Sequence, residues 1–211
     1  MSDIRKYFVV FDPVREEQPA LERAQRAALE SGALVHLYCC IYEDTSQFED
    51  KPAQVKQALA NQRRLMDEVA APLRALGIDV STEVEWDKDW YHAVVRASIR
   101  HHSDIVFKSS FRHSTSKRIL NRTSDWTLIR ECLCPVLLAK EECTHDRLRA
   151  LAAVDLRVKK ASYEKLNKSI IDFGRRLLDS ERAEVHFVNA FEDFRAVPDR
   201  KALIEDIGID R

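Results

Sequence analysis

Side chains able to do chemistry gather in a few places along this chain. Asp12 closes an apolar run, Tyr7-Phe8-Val9-Val10-Phe11, just ahead of Pro13. A carboxylate at a strand end can contact a nucleotide or a metal. It can equally accept hydrogen bonds from backbone amides in an Asx turn. A second group comprises Lys108, Arg112, Lys117, Arg118 and Arg122, interleaved with Ser109, Ser110, Ser114, Thr115 and Ser116. Cations and hydroxyls at this density suit a phosphate or another anion. The same composition also suits a solvated loop. His92 and the pair His101-His102 invite a metal reading. However, adjacent histidines on a helix point in different directions, and no His-x3-His spacing accompanies them. Cys39-Cys40 and Cys132-x-Cys134 sit in apolar surroundings, as buried reduced thiols do. Trp86, Trp90 and Trp126 could wall a ligand site, or fill core and interface.

None of these groups completes a catalytic set. The nucleophile-elbow Gly-x-Ser-x-Gly, the Walker A loop and the Rossmann glycine pattern are all absent. The expectation is a protein that is not an enzyme and holds no metal. Of the 211 residues, 45% are hydrophobic and 33% charged, and the formal net charge is −1. That balance belongs to a soluble globular protein. Without a basic excess, neither nucleic acid nor an anionic membrane is expected as a partner. No apolar run approaches the ~20 residues that span a bilayer. Met1-Ser2-Asp3-Ile4-Arg5-Lys6 leads straight into a strand with no signal-peptide pattern. The five cysteines form no regular paired framework. A cytoplasmic location is expected.

The elements that must position these side chains follow from periodicity. The run from Tyr7 to Phe11 is continuous and β-rich, as in a parallel strand covered on both faces. Leu21, Ala24, Ala28 and Leu29 predict a helix that Gly32 ends in a left-handed turn. Leu34 to Ile41 is a second strand. Val55, Leu59, Leu65, Met66, Val69 and Leu73 predict a long helix, bent at Pro72 and ended by Gly77. Asp79 to Trp86 alternates as a strand, and Trp90 to Ile99 reads as a helix. Ile105 to Phe107 is a short strand, Thr123 to Glu131 a helix, and Pro135 to Ala139 a closing strand. The alternating order calls for a parallel doubly wound sheet with helices on both faces. Ligands on such sheets lie beyond the carboxyl ends of the strands.

The pattern then restarts. Leu148 to Val154 reads as a strand ending at Asp155, as the first ends at Asp12. A helix with Leu166, Ile170, Phe173 and Leu177 follows. Glu184-Val185-His186-Phe187-Val188 echoes Leu34-Val35-His36-Leu37-Tyr38. The internal repeat has an offset of about 145 residues. The expected organisation is a full domain over 1–140 and an incomplete β-α-β copy over 147–211. A lone β-α-β unit leaves apolar surface open, so it is expected either to be part of a longer protein or to complete itself against another chain.

Several of these segments together resemble the universal stress protein family, in particular its tandem members. They are Val9-Val10-Phe11-Asp12-Pro13, Gln18-Pro19-Ala20-Leu21, Thr123-Ser124-Asp125-Trp126-Thr127-Leu128-Ile129-Arg130, Cys134-Pro135-Val136-Leu137-Leu138 and Ala152-Ala153-Val154-Asp155. The resemblance implies an α/β fold with a five-stranded parallel sheet in the order 3-2-1-4-5, of the adenine nucleotide alpha hydrolase-like kind, followed by a partial second copy. It implies a stress-response module that works through protein partners and self-association, with pairing at the fifth strand. In members that bind ATP, a Gly-x2-Gly-x9-Gly-Ser/Thr loop cradles the phosphates, because only glycine lets backbone amides approach so closely. Those glycine positions fall here on Ser109, Arg112 and Arg122, and only Thr123 fits the pattern. The remaining contact positions are Asp12 and Ile41, the latter through its backbone. The loop is thus degenerate. No cofactor is expected, and binding of ATP with weak hydrolysis is the alternative.

Overall fold

A computed structural model describes residues 4–111, 122–140, 148–155, 161–178 and 183–189. The chain separates into two compact units, residues 1–142 and 143–211. The first holds strands β1 (Lys6–Val10), β2 (Leu34–Ile41), β3 (Val80–Trp86), β4 (Ile105–Ser109) and β5 (Val136–Ala139). Between them run helices α1 (Pro19–Ser31), α2 (Lys51–Ala75), α3 (Trp90–Arg100) and α4 (Arg122–Glu131). The sheet is parallel throughout, in the order β3-β2-β1-β4-β5.

Period-two alternation sorts the central strands between two cores. Val9, Phe11, Val35, Leu37, Cys39 and Phe107 face α1 and α2, where Ala20, Ala24, Met66 and Ala70 are fully buried. Phe8, Val10, Tyr38 and Val106 face the other way, against Val94, Ala97 and Leu128 of α3 and α4. By the same alternation His36 points to the α3 side, with its ring 5.4 Å from Phe8. Two apolar residues expected in the core turn outward. Leu29 lies a third of a turn beyond Ala28, and Leu65 precedes buried Met66, so each falls off its helix's apolar stripe.

Helix ends are set by local chemistry. The Asp50 side chain accepts from the Ala53 N–H at the start of α2. Gly32 (φ 69°) returns its N–H to the Ala28 carbonyl and stops α1. The long helix continues through Pro72 to Ala75, and Gly77 (φ 84°) then turns the chain toward β3.

The second unit is built from β6 (Leu148–Ala153), α5 (Ala161–Leu178) and β7 (Ala183–Val188), with β6 and β7 parallel. One polar detail recurs in both units. The Gln18 side chain accepts from the Asp12 N–H (3.3 Å) and donates to the Asp12 carbonyl (2.7 Å). Asn167 does the same to Asp155, at 3.1 and 2.6 Å. A side-chain amide thus clamps the backbone at the end of the leading strand in each unit. Leu151 and Leu166 are exposed in the second unit.

Candidate functional site

Parallel strands leave a crevice where their carboxyl ends diverge to feed helices on opposite faces. Here a cleft of about 920 Å³ opens at the ends of β1 to β4. Its floor is Val10 to Val14, Cys40 to Glu43 and Lys108-Ser109. One wall is α2, through Gln54, Gln57, Asn61, Gln62 and Leu65, and the other is the β3–α3 turn with Asp87, Lys88 and Trp90. A smaller depression of about 470 Å³ lies along α2 between Lys51 and Arg63. It is walled by that single helix.

Asp12 lines the cleft, and its Oδ1 accepts from the Val14 N–H at 3.1 Å. This is the Asx turn that the Asp-Pro sequence allows. Ile41 lines the cleft beside it, and its carbonyl accepts from the Asp87 N–H at 3.2 Å. Ser109 ends β4 and is only 4% exposed. Its Oγ accepts from the Ala20 N–H at 3.1 Å, in the first turn of α1. No side chain of α1 itself caps that helix, so a hydroxyl from β4 satisfies one of its orphan donors.

Lys108 was grouped by sequence with the basic loop, but it stands on β4 with its ammonium half-buried. Nζ lies 2.8 Å from Asp125 Oδ1, 2.9 Å from the Ser109 carbonyl, and 5.6 Å over the Trp90 ring. Asp125 also receives the Ser110 hydroxyl at 3.3 Å. The cation nearest the cleft floor is therefore already neutralised. Arg112, Lys117 and Arg118 lie outside the described residues. Arg122 and Thr123 open α4, with the backbone alone described.

Asp87 turns to Arg96 Nη2 at 2.5 Å. Burial pushes the thiol pKa of Cys39 up to about 12 and that of Cys40 up to about 11. Both stay protonated at neutral pH and serve as core thiols. Burial pushes Cys134 up to about 11 as well. The tryptophans do not converge: Trp86 packs near Tyr42, Trp90 covers Lys108, and Trp126 is 54% exposed. Nor do the three histidines weighed and set aside as metal ligands. His92 pairs with Asp89 and Glu131, and His102 takes a left-handed φ of 50° past the end of α3. His101 turns instead to His36 and Glu83. Sequence spacing missed this contact, because His36 comes from a distant strand. The signal available was the lone histidine within the otherwise apolar run of β2.

Residues 4–140 match the model of the universal stress protein family. The chain belongs to the universal stress protein family. It is similar to universal stress protein E of Photorhabdus laumondii, at 26% identity over 199 residues, covering 90% of this chain and 63% of that protein. Universal stress protein E of Escherichia coli K12 is 27% identical over 198 residues, with the same coverage. The chain thus spans 63% of the length of these curated relatives. Among solved structures, a functionally unknown protein from Pseudomonas aeruginosa PAO1 shares the fold. Its TM-score is 0.71 at 23% identity, covering 98% of this chain and 71% of that one. Family membership supports a role in the stress response. Among the described residues, no helix is long and apolar enough to cross a membrane.

Proposed function

We propose that this universal stress protein is a non-enzymatic regulatory binding module of the stress response, whose first domain is a degenerate copy of a nucleotide-binding domain. Ser109 carries the reading. It occupies the position of the first cradle glycine, yet its hydroxyl is spent on the Ala20 N–H and the residue is 4% exposed. A phosphate placed there would meet a side chain where a bare backbone is needed. Beside it, Lys108 is held by Asp125. The α2 wall offers neutral amides, which suit an uncharged polar ligand better than a triphosphate.

Partners are then other proteins and a second copy of the chain. Leu133, 82% exposed, and exposed Ile129 and Trp126 lie just ahead of β5, which forms one edge of the sheet. An apolar surface bordering a sheet edge favours pairing. The second unit repeats the β-α-β plan with which the first domain begins, with the Asp155–Asn167 clamp repeating that of Asp12 and Gln18.

Adenine-nucleotide binding is the second reading, favoured by the cleft's place at the strand ends and its volume of about 920 Å³. Calorimetric titration with ATP and magnesium separates the two, run on the wild-type chain and on Arg112→Ala. No binding tighter than roughly 100 μM, about −5.5 kcal/mol, is expected. Tighter binding that Arg112→Ala weakens would show that side-chain cations have replaced the glycine cradle, and the nucleotide reading would take precedence.

A further inference from the structure

On the opposite side of the sheet from α2, three side chains from distant segments converge. His36 comes from β2, Glu83 from β3 and His101 from the residue capping α3. Glu83 Oε2 lies 3.3 Å from His36 Nε2 and 2.5 Å from His101 Nε2. The two imidazoles stack at 3.6 Å with 24° between their planes. One ligand-type atom from each residue lies within 4.8 Å of the others. We propose that His36, Glu83 and His101 form a binding site for a divalent transition-metal ion, with zinc the best fit.

The donor set is the first reason. Two imidazoles and a carboxylate suit zinc, copper or nickel, whereas calcium and magnesium select oxygen ligands. The spacing is the second. Arms of ~2.0–2.1 Å in tetrahedral directions set ligand atoms ~3.3 Å apart. His36 Nε2 and Glu83 Oε2 already stand at 3.3 Å. His101 Nε2 has to withdraw from Glu83 by less than an ångström, and the stacked rings must splay. His101 caps the end of α3 with its side chain partly exposed, so the shift is toward solvent.

The surroundings are the third reason. Ser81 Oγ lies 2.8 Å from His36 Nδ1 and occupies that ring nitrogen, leaving Nε2 for a ligand. Arg100 holds the other Glu83 oxygen, Oε1, and orients the carboxylate. Partners of this kind beyond the ligands fix tautomer and direction at metal sites. The His36 side chain is 11% exposed and that of His101 33%, so solvent can supply a fourth ligand from the outer side.

The test is calorimetric titration of the untagged, reduced 211-residue chain with zinc chloride at pH 7.5, alongside His101→Asn and Glu83→Gln. One equivalent of zinc should bind with micromolar or tighter affinity, and each variant should weaken binding by about tenfold or more. Cobalt substituted for zinc should give a spectrum without thiolate charge-transfer absorption, which separates this site from the cysteines. Thermal unfolding of the metal-free variants reports whether they fold. In the wild type, zinc should also shift the imidazole nitrogen resonances of His36 and His101, a readout that needs no variant. Zinc weaker than roughly 100 μM, binding unchanged in folded His101→Asn, a thiolate band, or unmoved imidazole resonances would each overturn the proposal.

Discussion

Ser109 and Ala20 are far apart in sequence, yet one hydrogen bond between them starts α1. Removing the hydroxyl leaves a buried N–H without its acceptor, which costs about 1–3 kcal/mol. Ser109→Ala should therefore lower the urea midpoint of the chain without changing the slope. An unchanged midpoint would mean that the hydroxyl is free for a ligand after all. His36 makes a prediction in pH. Burial, with His101 adding to it, lowers its pKa from 6.5 to about 4, against the opposing pull of Glu83. His101, Glu83, Arg100 and Ser81 all face it. The unfolded chain thus binds more protons than the folded one between those values. The stabilisation is complete above pH 6.5 and is lost as pH falls toward about 4. His36→Gln should flatten the dependence of stability on pH across that window. A slope that persists in the variant would place its source elsewhere.

Among the elements, the order of strands and helices was legible because each signal is local. Continuous apolar runs mark strands covered on both faces, and three-four spacing marks helices packed on one side. The sheet order 3-2-1-4-5 came from the family resemblance, and the structure has it. The contacts between elements were not legible. Lys108 reads as part of a basic loop until β4 and α4 bring it to Asp125. The pairing of His36 with His101 depends on β2 and the end of α3 meeting on one face, which no spacing along the chain encodes. The Lys108–Asp125 pair yields its own test. Asp125→Asn leaves a half-buried ammonium without its counter-charge, and should destabilise the chain by about 1–3 kcal/mol. It should also create weak affinity for inorganic phosphate at the cleft floor, measurable by titration. If phosphate affinity stays absent while stability falls, the pair is purely structural.

At the scale of the molecule, the amide clamps at Asp12 and Asp155 tie the two units to one plan. The β-α-β arrangement of the second unit was visible as a repeated strand ending in aspartate. Leu151 and Leu166 are exposed on that unit. Self-association through the β5 edge predicts a sedimentation coefficient that rises with concentration. Leu133→Glu, at an exposed position, should suppress that rise without altering thermal unfolding. A concentration-independent monomer would remove the pairing from the account.

The central claim is that the phosphate end of the strand-end cleft is occupied by the fold itself. Nuclear magnetic resonance on the nitrogen-labelled chain addresses it directly, by following the backbone amides of Ala20, Ser109 and Ser110 as ATP and magnesium are added. The account predicts that these amides stay in place up to millimolar nucleotide. A saturable shift at all three would contradict it, because the Ser109 hydroxyl would then have yielded its helix to a phosphate.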